Sequence, residues 1–399
     1  MQRTRIFGLF ALLVVVACGG PKASAPKAAA PQDPWEREVQ PLAKQPIGSP
    51  ETGFTASSES SGPVDLEEKD GLRQLVIPIG TQQPIRCFVY PKAINLAQTL
   101  RLFINNVVEH VDKHQVDLID AGQADGIPYL FVATTYVAGS GNEKGMGQVK
   151  YLAARGDSTT TLCLHDEPGY RQTFTRITTS FISSQDFGEK VGDAAKRLLV
   201  WRAVSVQRAG TVTIGVIESR LYEGENGFAF ASSRSMLLPA EGGGLVASDE
   251  AENQFSNAHG DIVEAKYVKI VNDAVAYNLG LSLAAANRYE VSGIYKGEKY
   301  TATIPVTAAL PDFASQTASL RKLFAAKRAV ETLHWYTYSP QEPSRVTDVA
   351  FEKKGNSRDE GVMTQGESKI DVSVDELGMQ KKVTAGDMTV EQVWHSSRS

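Results

Sequence analysis

The chain has 399 residues, 42% of them hydrophobic, with 41 Lys and Arg against 46 Asp and Glu and a formal net charge of −5. That length allows two domains. The mild acidity, with no basic stripe, excludes nucleic acid as a partner class, and no apolar run after residue 17 is long enough to cross a membrane as a helix.

The first predicted element is the apolar segment 6–17, "IFGLFALLVVVA". A spanning helix needs about 20 apolar residues, so this one is too short. Arg3 and Arg5 stand before it and small residues after it, which is the layout of a secretory leader. Twin arginines are absent, so the general secretory route is expected. The ending, Val15-Val16-Ala17-Cys18, resembles the lipobox of bacterial lipoproteins, with Val where Leu is more usual at the third position before the cysteine. The resemblance implies loss of residues 1–17 and a lipidated Cys18 carrying two or three palmitate-type acyl chains. At about 0.8 kcal/mol per buried CH₂, two or more chains anchor stably. Gly19, in place of Asp, implies by the same resemblance the outer membrane, facing the periplasm or the cell surface. The membrane, held through Cys18, and an envelope protein are the expected partners.

Residues 18–70 read as the acylated N-terminus followed by a disordered Pro/Ala/Ser-rich linker. Eight of the chain's 18 prolines fall between 19 and 63, a composition too poor in apolar residues to offset ordering entropy. Trp35 reads as a chance aromatic or a docking point.

Residues 71–190 read as an α+β domain. "RQLVIPIG" and "PIRCFVYP" are two strands around Gly80-Thr81-Gln82. Leu96, Leu100, Phe103, Ile104, Val107, Val108 and Val111 recur at helical spacing, with Asn95 as N-cap and Gln98 at the capping-box position. "QVDLI", "IPYLFVATTYVA", "QVKYLAA" and "TTTLCLH" follow as strands, and 169–184 as a helix with Phe174, Ile177 and Phe181 on one side. The order β-β-α-β-β-β-β-α implies an antiparallel sheet with helices on one face. In element order alone it resembles the photosystem PsbP/Mog1-like fold.

Residues 197–399 read as a second, β-rich α+β domain. Glu223-Gly224-Glu225-Asn226 and Lys296-Gly297-Glu298 are hairpin turns between strand-like runs. Asp312 caps a helix that buries Phe313, Leu320, Leu323 and Phe324, and the tail alternates with period two as a meander. "QTLRLF" and "ASLRKLF" each follow a hairpin and open a helix, through duplication or convergence. The expected fold class is therefore α+β: two β-rich domains, antiparallel sheets with helices packed on one face, after a disordered tether.

Chemistry is sparse. Besides Cys18, Cys87 and Cys163 remain; in a secreted compartment an even remainder points to a disulfide, the alternative being two separate buried thiols. His110 and His114 stand four apart, with His165 or Asp112 as a third ligand, but no HExxH glutamate is present and a solvated helix end accounts for them. "GSGNEKGMG" at 139–147 lacks the ending of a phosphate loop. Ser319-Leu320-Arg321-Lys322 matches S-x-x-K without its K-T-G partner. Asp371 and Asp375 read as a solvated strand edge, and 353–361 as a charged loop tip. No metal, cofactor or enzymatic activity is expected. The expected function is a membrane-anchored binding or scaffold module of the envelope. The alternative is a carrier that holds a lipid in a half-barrel of the C-terminal domain. A dry apolar cavity in that domain would favour the carrier.

Overall fold

The computed structural model describes residues 36–49, 53–108, 113–138, 145–187, 198–239, 245–285, 288–326 and 332–398. Strands hold 63% of the structure and helices 12%, so the fold is mostly β, which corrects the α+β expectation. The helices among the described residues are three of 13 residues each. The chain divides at 197/198 into two compact units.

In the unit ending at Arg197, a seven-stranded antiparallel sheet has the order β3-β4-β5-β9-β8-β7-β6. Its strands are β3 (Asp65–Lys69), β4 (Leu72–Ile77), β5 (Ile85–Tyr90), β6 (Lys113–Ala124), β7 (Ile127–Ala138), β8 (Gly145–Arg155) and β9 (Thr160–Asp166). Helix α1 (Leu96–Val108) starts where Asn95 Oδ1 accepts the Ala97 N–H at 2.8 Å. Helix α2 (Arg171–Ser183) buries Phe174, Ile177 and Phe181. The two helices cover opposite faces, not one. Phe103 of α1 stacks on Tyr151 at 4.6 Å, whereas Phe174 of α2 meets Phe131 at 6.1 Å. Tyr151 pairs with Val132 and Phe131 with Leu152, so pleating sends Tyr151 and Phe131 to opposite sides.

The disordered-tether reading also fails for residues 36–49 and 53–69. Strands β1 (Ala43–Ser49) and β2 (Phe54–Ser60) form a hairpin that buries Ile47, Phe54 and Ala56. The hairpin is held to α2: Ser57 N–H donates to Ser184 Oγ at 2.9 Å, Glu59 pairs with Arg176, and Thr55 exchanges backbone hydrogen bonds with Asp186. Val39 N–H reaches Thr173 Oγ1 at 3.0 Å. The segment is short of apolar residues, but Ile47, Phe54 and Ala56 are buried, and Leu42, Val64 and Leu66 pack partly buried against the same core.

The unit Leu198–Ser399 is built on one 14-stranded antiparallel sheet. Eight strands run in sequence: β10 (Leu199–Ala209), β11 (Val212–Gly224), β12 (Gly227–Pro239), β13 (Leu245–Ser256), β14 (Ile262–Val271), β15 (Ala274–Ala285), β16 (Arg288–Tyr295) and β17 (Glu298–Pro305). Helix α3 (Phe313–Ala325) follows, then β18 (Thr332–Tyr338), β19 (Val346–Lys353), β20 (Glu360–Gln365), β21 (Ser368–Val374), β22 (Gln380–Ala385) and β23 (Met388–Ser397). The last strand, β23, pairs with the first, β10, so β17 and β18 are the two ends of the sheet. The hairpin turns are local choices; Lys296 and Gly297, at φ 53° and 84°, supply the positive angles that a two-residue turn demands.

Twist accumulates over so many strands, and the sheet curls on itself. Tyr338 of β18 lies 5.2 Å from Tyr267 of β14, and the Tyr295 hydroxyl donates to Gln341 O at 2.7 Å. Helix α3 lies on the inner face. Asp312 Oδ1 accepts the Ser315 N–H at 2.7 Å, as an N-cap should. Leu320, Leu323 and Phe324 pack on Trp335, Val349, Phe351 and the strands beyond.

Candidate functional site

Between α3 and the inner face of the curled sheet lies a cavity of about 160 Å³. Cross-strand register explains its chemistry, because residues directly opposite one another share a face. One row reads Trp201, Leu221, Phe230, Gln254 and Ala265 across β10 to β14. The next, about 6.7 Å along the strands, reads Ala203, Ser219, Ser232, Glu252 and Tyr267. The third reads Ser205, Ile217, Arg234, Glu250 and Lys269. The lining therefore passes from aromatic, through hydroxyl and carboxyl, to charged. Phe313, Gln316, Thr317 and Leu320 of α3 close one side, at the spacing of a single helix face. Tyr336, Tyr338, Gln380 and Gln392 contribute from β18, β22 and β23.

Burial sets the electrostatics. Arg234, Glu250 and Glu252 are all under a tenth exposed. Glu250 pairs with Lys269 Nζ at 2.5 Å and lies 3.5 Å from Arg234 Nη1. Glu252 accepts from Gln254 Nε2 at 2.5 Å, and Arg234 lowers its pKa through the field. Burial pushes its carboxyl up to about 7, against the opposing pull of Gln254, Arg234 and Tyr267. Burial raises the Tyr267 hydroxyl well above its ordinary value. Ser219 and Ser232 hydroxyls stand 3.0 Å apart, and Gln316 Nε2 donates to Pro311 O at 2.9 Å. Among the described residues the cavity lining holds no histidine or cysteine; its titratable groups include Arg234 and Glu252, with Ser232 directly opposite Glu252 across the strands.

The sequence candidates lie elsewhere. Cys18 and Trp35 fall outside the described residues. Cys87 and Cys163 are joined, S–S 2.04 Å, as directly opposed residues of β5 and β9 with Cα atoms 4.1 Å apart. His110 and Asp112 fall outside the described residues. His114 lies on β6, not on a helix end, and His165 on β9, with β7 and β8 between them. Burial, with the Lys150 cation, lowers His165 to about 4; its Nε2 lies 3.1 Å from Gln83 O, the geometry of a neutral ring donating to a carbonyl. Among the described residues no three His, Cys, Asp or Glu gather as a metal would require. Residues 139–144 of the glycine-rich stretch lie outside the described residues. Ser319 Oγ donates to Ser315 O at 2.9 Å, while Arg321 and Lys322 face solvent. Asp371 pairs with Lys354 at 2.8 Å, and Asp375 Oδ1 closes a turn by accepting the Leu377 and Met379 N–H groups.

No protein-family model matches the chain. No curated protein matches it either. Among solved structures, it is similar to a β-barrel-like protein of the domain of unknown function DUF1849 from Brucella abortus. That match has 13% identity and a TM-score of 0.39, over 51% of this chain and 99% of that one. It is also similar to a DUF1089 family protein from Pseudomonas aeruginosa, with 15% identity and a TM-score of 0.27, over 41% of this chain and 87% of that one. Likenesses this distant name no function for this chain.

Proposed function

We propose that this protein is a lipid-anchored binding module of the bacterial envelope, held in the outer membrane through Cys18, and that the cavity of the Leu198–Ser399 unit is its ligand site. The supporting observation is the cavity itself: aromatic at one end and charged at the other, with Glu250 ion-paired to Lys269 and Arg234, in the interior of a curled sheet. Such concave sites with a few convergent polar groups are where small ligands bind. Binding is the reading the lining supports: aromatic rings, hydroxyls and carboxamides that hold a small ligand stand around the Arg234 and Glu252 side chains. An envelope protein is the expected partner for the bound state, and no nucleic acid is involved.

The carrier reading is less well supported. A lipid chain against Arg234, Glu252 and Gln254 would leave buried polar groups without partners, at about 1–3 kcal/mol each. The volume is also close to that of a cavity that holds one benzene ring, about 150 Å³.

Two experiments test the proposal. A Cys18→Ala variant should lose its membrane fraction and its acylated mobility; unchanged partitioning contradicts the anchor. The soluble Cys18→Ala chain, dialysed against a small-molecule extract of the envelope, should retain a compound that a cavity-filling Ser232→Trp version does not. Equal retention by both, or none by either, contradicts the ligand site.

A further inference from the structure

We infer that the cavity takes a single neutral sugar ring, free or at the end of a glycan. In that arrangement the C–H face lies against Phe313 and its neighbours, and the hydroxyl rim lies among serine, threonine and glutamine side chains. This rests on the ligand-binding role proposed above and names the ligand class.

Three features point the same way. Size comes first: about 160 Å³, in a pocket open on one side, is the scale of a single small ring and not of a long chain. Charge is the second. Arg234 and Glu252 are the lining's ionisable pair of opposite sign, and Glu250 with Lys269 stand behind them. With Glu252 ionised, two cations and two carboxylates balance and the site asks for no counter-ion. Its carboxyl, raised to about 7, both donates and accepts near neutrality. The other polar walls are hydroxyls and carboxamides, among them Ser219, Ser232, Thr317, Gln316 and Gln392. Groups of this kind donate and accept alike, and a ligand with several hydroxyls meets each of them. Gln254 Oε1 makes no hydrogen bond within the described residues, so an acceptor stands ready beside the aromatic row.

The third feature is the division of the surface. Phe313 stacks on Phe230 at 4.3 Å and tilts against Trp201 at 5.6 Å. These rings occupy one end, and the hydroxyl row begins one pleat repeat away. A sugar ring has the same division, one apolar face and a polar rim. An acyl chain lacks the rim, and a small anion lacks the face.

The test uses the full chain with Cys18→Ala, purified without detergent. Methyl glucoside, methyl galactoside, N-acetylglucosamine and a β-linked tetrasaccharide of N-acetylglucosamine are titrated by calorimetry and saturation-transfer NMR, with octanoate and phenylalanine as comparison probes. At least one sugar should bind and weaken tenfold or more in Gln316→Leu and in Phe230→Leu. Gln316→Leu alters a partly exposed helix residue and gives up its bond to Pro311 O, so the unfolding midpoint should move by no more than a few degrees and lost binding there is not lost fold. Tighter binding of the tetrasaccharide than of its monomer assigns a glycan end; equal binding assigns the free sugar. Sugar binding that survives both variants unchanged overturns the inference. Binding of octanoate or phenylalanine alone, abolished by Ser232→Trp, overturns the sugar while leaving the cavity's role intact. Binding of no probe, with Ser232→Trp also indistinguishable from its parent in envelope extract, overturns both.

Discussion

The ring of Phe313, the first residue of α3, lies stacked on Phe230 of β12, with centroids 4.3 Å apart and planes 19° from parallel. This contact joins the helix to the sheet along the cavity lining, and Trp201 and Met379 pack in the same cluster. Phe313→Ala should therefore destabilise the Leu198–Ser399 unit by about 2–4 kcal/mol, and Phe313→Leu by about 1. Urea unfolding with fluorescence of the tryptophans checks this. A cost below about 0.5 kcal/mol for the alanine variant would show that α3 is not fixed there.

Residues 36–60 make a second testable contact. Burying Ile47 and Phe54 contributes about 1.5–3 kcal/mol each, and Arg73 lies over the Phe54 ring at 5.0 Å. Deleting residues 36–60 should lower the thermal midpoint of the N-terminal unit by several degrees, because α2 loses its cover. Calorimetry of the deleted and full chains decides it, and an unchanged midpoint would restore the view of this segment as a free tether.

The Cys87–Cys163 bond closes a loop of 76 residues in a site with no solvent exposure. Replacing both cysteines by alanine should cost about 2–4 kcal/mol. Thiol labelling in native buffer with reductant should find neither cysteine, and labelling after unfolding with reductant should find both. Rapid labelling of the native chain would contradict this burial.

Glu252 gives the C-terminal unit a pH dependence. Its folded pKa, about 7, exceeds the ordinary carboxyl value of 4.5, so the folded state holds a proton that the unfolded state has released. Its contribution to stability is fully present below about pH 4.5 and is lost as pH rises through about 7. The groups facing it are Gln254, Arg234, Tyr267 and Glu250. The loss is on the order of 3 kcal/mol. Glu252→Gln should lose little at pH 5 and gain relative to its parent at pH 8, in urea midpoints measured at both. A difference that does not change with pH would contradict the burial of this carboxyl.

The strands and helices that the chain advertised were those with an apolar inner face. The β-β-α-β-β-β-β-α order from β4 to α2, the two hairpins and the Asp312-capped helix all follow from alternation, helical spacing and turn residues. The opposed faces of α1 and α2 were not legible, because element order does not say which face a helix covers. The cavity was hidden for a more specific reason. The inward row of β13 is Ser248, Glu250, Glu252 and Gln254, all buried. Alternation there is inverted, so "SDEAENQ" reads as a solvated stretch. The inversion is itself a signal: a period-two run of polar residues between two confident strands has either a wet inner face or a site. Residues 43–60 were misread through composition, since Ile47 and Phe54 are the only large apolar residues among serines, threonines and glycines.

The central claim is that the interior of the curled sheet holds a ligand. The most direct measurement is non-denaturing mass spectrometry of the protein taken from its own membranes in mild detergent, beside Ser232→Trp and the gentler Ser219→Leu. The account predicts a discrete non-covalent mass on the wild-type chain, consistent with one or more sugar units, that is lost or much reduced in both variants while their folded charge-state distributions match. A wild-type chain with no added mass, or the same added mass on all three, would contradict it.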